Sequence, residues 1–251
     1  MSCGLCRGNL SALEDTDEDY GKYPTIPITY EDLKKDIRSG LTAEARQFWW
    51  PILPTIHQGE DILKMPNIQE LSNKRYLWAK QHSDQPSLNE KKEGSEGTLR
   101  DDRHDRVDEI VSLLTSMYDL KEPGLVKTYV SILVLMIPSI DICFHTCCAT
   151  LDRPDWFISP SAVNHRLKLY TFKELAKKYL PKEAGTLERI GGLNSEFLNL
   201  LFIDLFFSLM PTPDVMRVMD SFLLEGTKII HRFGLGLIYL NRDLLETEAI
   251  R

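Results

Sequence analysis

The segment from residue 212 to residue 226 constrains the fold of this chain most strongly, because it has the marks of a complete amphipathic helix. Thr212 can cap its N-terminus, Pro213 suits the first helical position, and Gly226 suits the stop. Its apolar residues recur at spacings of three and four, at Val215, Val218, Met219, Phe222 and Leu223. Such a stripe must be buried against neighbouring elements, so helix packing organises the fold.

Helical spacing recurs along the rest of the chain, and no segment shows the alternation typical of a strand. The first helix is predicted from a cap at Thr29 to a stop at Gly40. Further helices are predicted at 42–52, 68–80, 107–118, 126–137, 139–150, 171–179, 186–190, 195–208, 213–225 and 228–240. We therefore predict an all-α fold with two helical lobes, about 29–150 and about 151–251, that meet in one groove.

Composition predicts where the chain is irregular and where the protein resides. Residues 1–28 form an acidic leader that we expect to be disordered, and residues 81–106 form a charged loop within the first lobe. No stretch reaches the roughly 20 uncharged apolar residues that span a bilayer, and the N-terminus lacks the apolar segment of a signal peptide. We therefore expect a cytoplasmic protein.

The charge balance limits the classes of ligand. The chain has 30 Lys and Arg residues against 37 Asp and Glu residues, a net charge of −7. This acidic balance argues against a nucleic-acid-binding protein whose affinity comes from bulk positive charge. Any anion-binding site must therefore be a local cluster of cations.

Cysteine and histidine spacings do not predict a metal site. Cys3 and Cys6 have the spacing of a zinc knuckle, but a structural zinc ion needs four ligands. Cys143 and Cys147 lie one turn apart on a predicted core helix, where a buried thiol is the commoner role. The six histidines form no ligand set, and motifs for a serine or cysteine nucleophile or a phosphate loop are absent. We expect no metal and no cofactor.

Two pairs of cations are the candidates for a local anion site. Lys34 and Arg38 are four residues apart and share one helix face, an arrangement that also occurs on ordinary solvated helices. Lys228 and Arg232 repeat this spacing on the last helix. Because Arg232 lies among apolar residues, we expect it to be partly buried and to need either an acidic partner or a bound anion.

Two segments resemble the TBC domain, the fold of Rab GTPase-activating proteins. Residues 33–53 resemble its opening helices, with Arg38, Gly40, Arg46 and Trp49 at the pattern's positions. Residues 197–238 resemble its more diagnostic half, with Met210, Pro211, Asp220, Glu225, Gly226 and Arg232 in place. Residues 143–179 are similar to the Skywalker-like branch, whose members carry a TLDc domain after the TBC domain. The resemblance implies a TBC-like domain over 29–251 that we expect to be shortened at its C-terminal end.

The resemblance also implies a test of catalysis. Activators of this family supply an arginine from an Ile-x-x-Asp-x-x-Arg motif and a glutamine from a Tyr-x-Gln motif, which together accelerate GTP hydrolysis on the order of 10³ to 10⁵. Neither motif occurs in this sequence. We therefore expect a protein without catalytic residues. The alternative is an active activator of a Rab GTPase that uses one of Arg100, Arg103 or Arg106, on a loop without an apolar anchor.

In the Skywalker-like branch, the TBC domain has a cationic pocket for phosphoinositide headgroups, whose basic residues match Lys34, Arg38 and Arg232 here. The resemblance thus implies that these three cations converge on one pocket. The implied partners are a small GTPase of the Rab or Arf class and a phosphoinositide-containing membrane, which would place the protein peripherally on vesicle or plasma membranes in trafficking. A second alternative is an all-α interaction scaffold with no anion site.

Overall fold

The computed structural model describes residues 29–56, 67–83, 99–120, 123–153 and 162–245. Helices make up these ranges and no strand occurs within them, so the all-α prediction is confirmed. The chain divides into two compact units, Met1–Arg153 and Pro154–Arg251. The predicted leader at 1–28 lies outside the described residues, as do Cys3 and Cys6.

Unit 1 contains six α-helices and one 3-10 turn in its described part. The helices are α1 (Tyr30–Ser39), α2 (Ala43–Trp49), α3 (Ile68–His82), α4 (Leu99–Tyr118), α5 (Gly124–Met136) and α6 (Ile140–Leu151), with the turn at Leu53–Thr55. Helix α6 is central, because it packs against α3, α4, α5 and the 3-10 turn. Its Cys143, Cys147 and Cys148 are buried free thiols, which confirms the prediction that Cys143 and Cys147 belong to the core.

Unit 2 contains five helices in its described part: α7 (Ala162–Tyr179), α8 (Pro181–Arg189), α9 (Ser195–Phe202), α10 (Thr212–Glu225) and α11 (Lys228–Leu240). Helix α7 packs on α8 and α9, and α11 packs on α10 and α9. At their meeting point the rings of Phe172 and Phe202 are 5.5 Å apart, and the His231 ring lies 5.1 Å from Phe202. Among the described residues, no helix is both long and apolar enough to cross a bilayer.

The bounds predicted for the charged loop, residues 81 and 106, are both wrong. Helix α3 continues to His82 and α4 begins at Leu99, so only residues 84–98 of that stretch lie outside the described ranges. Charge density alone does not prevent a helix. Two turns into α4, Val107 is buried and Arg106 donates to backbone carbonyl oxygens beyond the end of α5.

Several predicted helix ends in unit 2 are also wrong. Helix α7 begins at Ala162 rather than at residue 171, and α8 begins at Pro181 rather than at residue 186. Thr212 is the first helical residue of α10, preceded by Pro211, which offers no side-chain cap. Helix α9 ends at Phe202 rather than at residue 208. Leu205 and Phe206 have φ angles of 48° and 67°, a left-handed conformation that stops a helix. Both side chains are buried, so apolar packing holds the backbone in this unfavourable region.

Gly234 leaves room on α11 for the ring of Phe172, which belongs to α7. A Cβ atom at this position would lie 2.7 Å from Cε2 and 3.0 Å from Cζ of Phe172, whose ring is fully buried. Gly234→Ala is therefore expected to destabilise the protein by about 1 kcal/mol net, since overpacking costs about 1 to 3 kcal/mol and alanine's helix preference offsets up to about 1. Urea unfolding followed by far-UV circular dichroism measures this.

Gly236 is the matched control, two residues along the same helix. A Cβ atom there would meet no heavy atom within 4 Å. Gly236→Ala is expected to stabilise the protein by about 0.5 to 1 kcal/mol through helix propensity alone. If both substitutions stabilise, the contact with Phe172 does not limit the packing of α11.

Candidate functional site

Helix α1 presents the first two candidate cations. The helix begins where Thr29 Oγ1 accepts a hydrogen bond from Asp32 N at 3.2 Å, and it ends at Gly40, whose φ is 97°. Leu33 and Ile37 are buried and fix its inner face. Lys34 and Arg38 each follow one of these residues, so both lie about 100° around the helix from the buried pair and one turn apart.

The two cations differ in their surroundings. Lys34 is half-buried, and its Nζ lies 3.2 Å from Oε2 of Glu31 and 5.9 Å from the centroid of the Tyr30 ring. Arg38 is exposed and occupies the last turn, where a positive charge is favoured by the helix dipole. The repulsion between the two cations is therefore reduced by Glu31, and an incoming anion would compete with this carboxylate for Lys34.

Arg232 on α11 has an acidic partner in its own unit. Its Nη1 lies 3.7 Å from Oε2 of Glu225, and Nζ of Lys228 lies 3.3 Å from the same oxygen. The Glu225 side chain is buried, whereas the Arg232 side chain is 62% exposed. The expectation that Arg232 is partly buried is therefore wrong: the apolar face of α11 is formed by Ile230 and its helical neighbours, and Arg232 lies off that face.

Lys34 and Arg38 belong to unit 1 and Arg232 belongs to unit 2. The convergence of the three cations on one pocket stays a prediction. What the structure adds is that Lys34 and Arg232 each have a carboxylate within 4 Å, Glu31 for one and Glu225 for the other.

Three other residues of the TBC pattern are wholly or partly buried. Trp49 is buried on α2, with its ring 5.2 Å from that of Phe48 in an edge-on arrangement. Arg46 on the same helix is half-buried. Asp220 on α10 is fully buried, like the apolar residues around it.

All three candidate finger arginines lie on α4 rather than on a loop. Arg106 is half-buried, and its Nη2 donates to the carbonyl oxygens of Ile137 at 3.0 Å and Pro138 at 2.6 Å. These bonds give Arg106 a structural role. Arg103 is exposed, and the side chain of Arg100 lies outside the described residues. The structure thus disfavours Arg106 as a finger that points at a bound nucleotide.

A cavity of about 250 Å³ in unit 1 was not predicted from the sequence. It is lined by residues from α2 and the segment after it, from α3, from the connection between α5 and α6, and from the start of α6: Gln47, Phe48, Pro51, Ile68, Gln69, Ile137, Pro138, Ser139 and Ile142. Two of these residues, Gln69 and Ser139, donate to the carboxylate of Asp141. Because the lining residues within the described ranges include no lysine or arginine, this wall does not suit a phosphate group.

Comparison with known proteins identifies the family. The Rab-GTPase-TBC domain family matches residues 110–245. Human growth hormone-regulated TBC protein 1 is 33% identical over 92 residues, which is 37% of this chain and 27% of that protein. Mouse Carabin is 35% identical over 81 residues, which is 32% of this chain and 18% of that protein. These alignments thus span about a quarter or less of the relatives' length.

Two solved structures share the fold. The TBC domain of Skywalker/TBC1D24 from Drosophila melanogaster, in complex with inositol(1,4,5)triphosphate, has a TM-score of 0.63 at 19% identity, over 97% of this chain and 81% of that one. The Chlamydomonas flagellar RabGAP TBC domain has a TM-score of 0.57 at 17% identity, over 96% and 81%. Because the family match covers more than half of the residues and the fold agrees, the chain belongs to the Rab-GTPase-TBC domain family.

Proposed function

We propose that this TBC domain protein binds phosphoinositide headgroups on trafficking membranes and engages a Rab or Arf GTPase, with little or no GTPase-activating catalysis. The observation that carries the proposal is the pair Lys34 and Arg38, held one turn apart on a helix whose other face is anchored by Leu33 and Ile37. Arg232 is proposed as a third cation of the same site.

Charge and geometry support a headgroup as the ligand. Two cations about 6 Å apart along a helix axis can each donate charge-assisted hydrogen bonds to a different phosphate of one inositol ring. A local pair also allows a protein with a net charge of −7 to meet an anionic membrane. The related TBC domain of Skywalker has been crystallised with an inositol trisphosphate, which makes the same ligand class a reasonable first choice.

The weak-catalysis part of the proposal is supported by the sequence and by α4. The chain has neither the Ile-x-x-Asp-x-x-Arg nor the Tyr-x-Gln motif. Arg106 is occupied with two backbone carbonyl oxygens. A single-turnover GTP hydrolysis assay with a panel of Rab proteins tests this part, and an acceleration that Arg103→Ala abolishes would instead establish an active enzyme.

Isothermal titration with soluble inositol trisphosphate tests the binding site. Lys34→Ala and Arg38→Ala are each expected to weaken binding about tenfold, since each removes a charge-assisted hydrogen bond worth about 1.4 kcal/mol. Lys35→Ala is the matched control, because it removes the same charge from an exposed position of α1 outside the proposed site and should weaken binding less than either site substitution, through the lost long-range attraction alone. Glu31→Gln is expected to strengthen binding, because it removes the carboxylate that competes for Lys34.

Arg232→Ala tests the third cation in the same titration. A loss similar to that of Arg38→Ala supports a site that includes α11, whereas unchanged affinity removes Arg232 from it. If Arg38→Ala and Lys35→Ala both bind like the wild type, or if the wild type does not bind, the interaction scaffold without an anion site is the better description.

A further inference from the structure

The outward face of α7 combines exposed apolar and basic residues. We define the α7 surface as Arg166, Leu167, Tyr170, Glu174 and Lys178, which the helical spacing places on one face. Leu167 is 60% exposed and Tyr170 is 61% exposed, whereas Tyr179, also 61% exposed, ends the helix on the side of Phe172. The opposite face of the helix is buried through Leu169, Phe172 and Ala176, so the backbone of α7 is firmly seated in unit 2 while these side chains point to solvent.

The charge of α7 is opposite to that of the whole chain. Between residues 162 and 179 the helix has five basic residues and one acidic residue, a net charge of +4 with histidine neutral, within a chain of −7. Lys177 is paired, with Nζ 2.8 Å from Glu188 and 3.9 Å from Glu174. Lys178 is exposed, and its Nζ lies 5.3 Å from the centroid of the Tyr179 ring. The surface is therefore locally positive as well as apolar.

We propose that the α7 surface docks on an anionic lipid bilayer. Tyrosine rings prefer the headgroup level of a membrane, a leucine gains by leaving water for the acyl boundary, and lysine and arginine are attracted by anionic lipids. The exposed residues lie on the outside of one helix rather than in a groove. To bind an anionic bilayer, such a surface needs only positive charge and side chains that can insert between the lipids. An acidic protein partner would also need a shape complementary to the surface.

This inference rests on the proposed function, in which the protein works at a membrane, and adds a second contact that does not depend on a phosphoinositide. The α1 cations would select the headgroup. The α7 surface would bind any anionic bilayer, including one that contains only phosphatidylserine as its anionic lipid.

Vesicle co-sedimentation separates the two contacts. The wild type is expected to bind phosphatidylserine-containing vesicles and not vesicles of phosphatidylcholine alone. The double variant Leu167→Ser, Tyr170→Ser should bind the phosphatidylserine vesicles at least about fivefold more weakly, and Lys178→Glu should also weaken binding. Both variants should bind soluble inositol trisphosphate within about twofold of the wild type, because a soluble headgroup offers no bilayer to insert into.

A second double variant in the same unit is the matched control. Tyr239 and Leu240 are 51% and 74% exposed, so Tyr239→Ser, Leu240→Ser removes the same two residue types from another surface. It should bind phosphatidylserine vesicles like the wild type, with all variants checked for folding by circular dichroism. The inference is overturned if the wild type does not bind these vesicles, if the α7 variants bind like the wild type, or if both double variants lose binding equally. Failure to bind soluble inositol trisphosphate alone would reject the headgroup site on α1 and leave the α7 inference standing.

Discussion

Trp50→Ala is expected to lower the free energy of unfolding by about 3 to 5 kcal/mol, the usual cost of removing a large aromatic side chain from a core. Trp50 is 0% exposed at the end of α2, where its backbone N–H donates to the Arg46 carbonyl oxygen at 2.9 Å. The neighbouring 3-10 turn packs on α6, so a cavity at Trp50 would lie close to the centre of unit 1. Urea unfolding followed by far-UV circular dichroism measures the loss.

Trp78 provides the matched control for this substitution. It is 50% exposed on α3, where its ring stacks on that of His82 at a centroid distance of 4.5 Å. Trp78→Ala removes the same side chain from a surface that water already reaches, and we expect it to cost less than about 1 kcal/mol. Equal losses of unfolding free energy for the two variants would mean that Trp50 contributes no more to the stability of unit 1 than an exposed tryptophan does.

Trp50→Ala also allows a residue needed for folding to be distinguished from a residue that binds the ligand. Lower stability reduces the folded fraction, but it leaves Lys34 and Arg38 in place in the molecules that remain folded. Because folding and binding are linked, a lower folded fraction raises the apparent dissociation constant for inositol trisphosphate in inverse proportion. After correction for the folded fraction, the dissociation constant of Trp50→Ala should lie within about twofold of the wild type. A residue that contacts the ligand should raise the dissociation constant without lowering the folded fraction.

The helices that could be predicted from the sequence are those with local signals. Helix α1 has its cap at Thr29 and its stop at Gly40, and both are present as predicted. Helix α11 follows its apolar spacing from Lys228 to Leu240. The end of α9 could not be predicted, because Leu205 and Phe206 are ordinary apolar residues that only tertiary packing holds at positive φ.

The part of the candidate site that lies on a single helix, α1, could be predicted from the sequence. The four-residue spacing is enough to place Lys34 and Arg38 on one face of α1. The exposure of Arg232 was not predictable, because apolar neighbours in sequence do not reveal which way a side chain on a packed helix points. The 250 Å³ cavity has no local signature, since its wall combines segments that are far apart along the chain.

His145 gives unit 1 an unusual sensitivity to acid. It is 7% exposed on α6, and within the described residues neither Nδ1 nor Nε2 has a hydrogen-bond partner. Burial, the largest cause, and the nearby Arg75 guanidinium together lower its pKa from 6.5 to about 4, against the opposing carboxylates of Asp152 and Asp141. The folded protein therefore keeps His145 neutral at a pH at which the unfolded chain binds a proton.

The sign of the pH effect follows from this depressed pKa. Above about pH 6.5 the histidine is neutral in both states and contributes no pH dependence. As the pH falls from 6.5 toward 4, only the unfolded chain gains the proton, so stability is lost. Between pH 7 and pH 5 the expected loss from His145 is about 2 kcal/mol. Urea unfolding at pH 8, 7, 6 and 5 measures it.

His145→Leu is expected to remove this part of the pH dependence, because leucine cannot take up a proton. The difference in stability between the variant and the wild type should be constant from pH 8 to pH 7 and should then shift in favour of the variant by about 2 kcal/mol at pH 5. Carboxylates that titrate in the same range affect both proteins equally and cancel in this difference. Parallel stability curves from pH 8 to pH 5 would show that His145 is protonated in the folded protein as readily as in the unfolded chain, and the buried, unpaired environment on α6 would then have no effect on its ionisation.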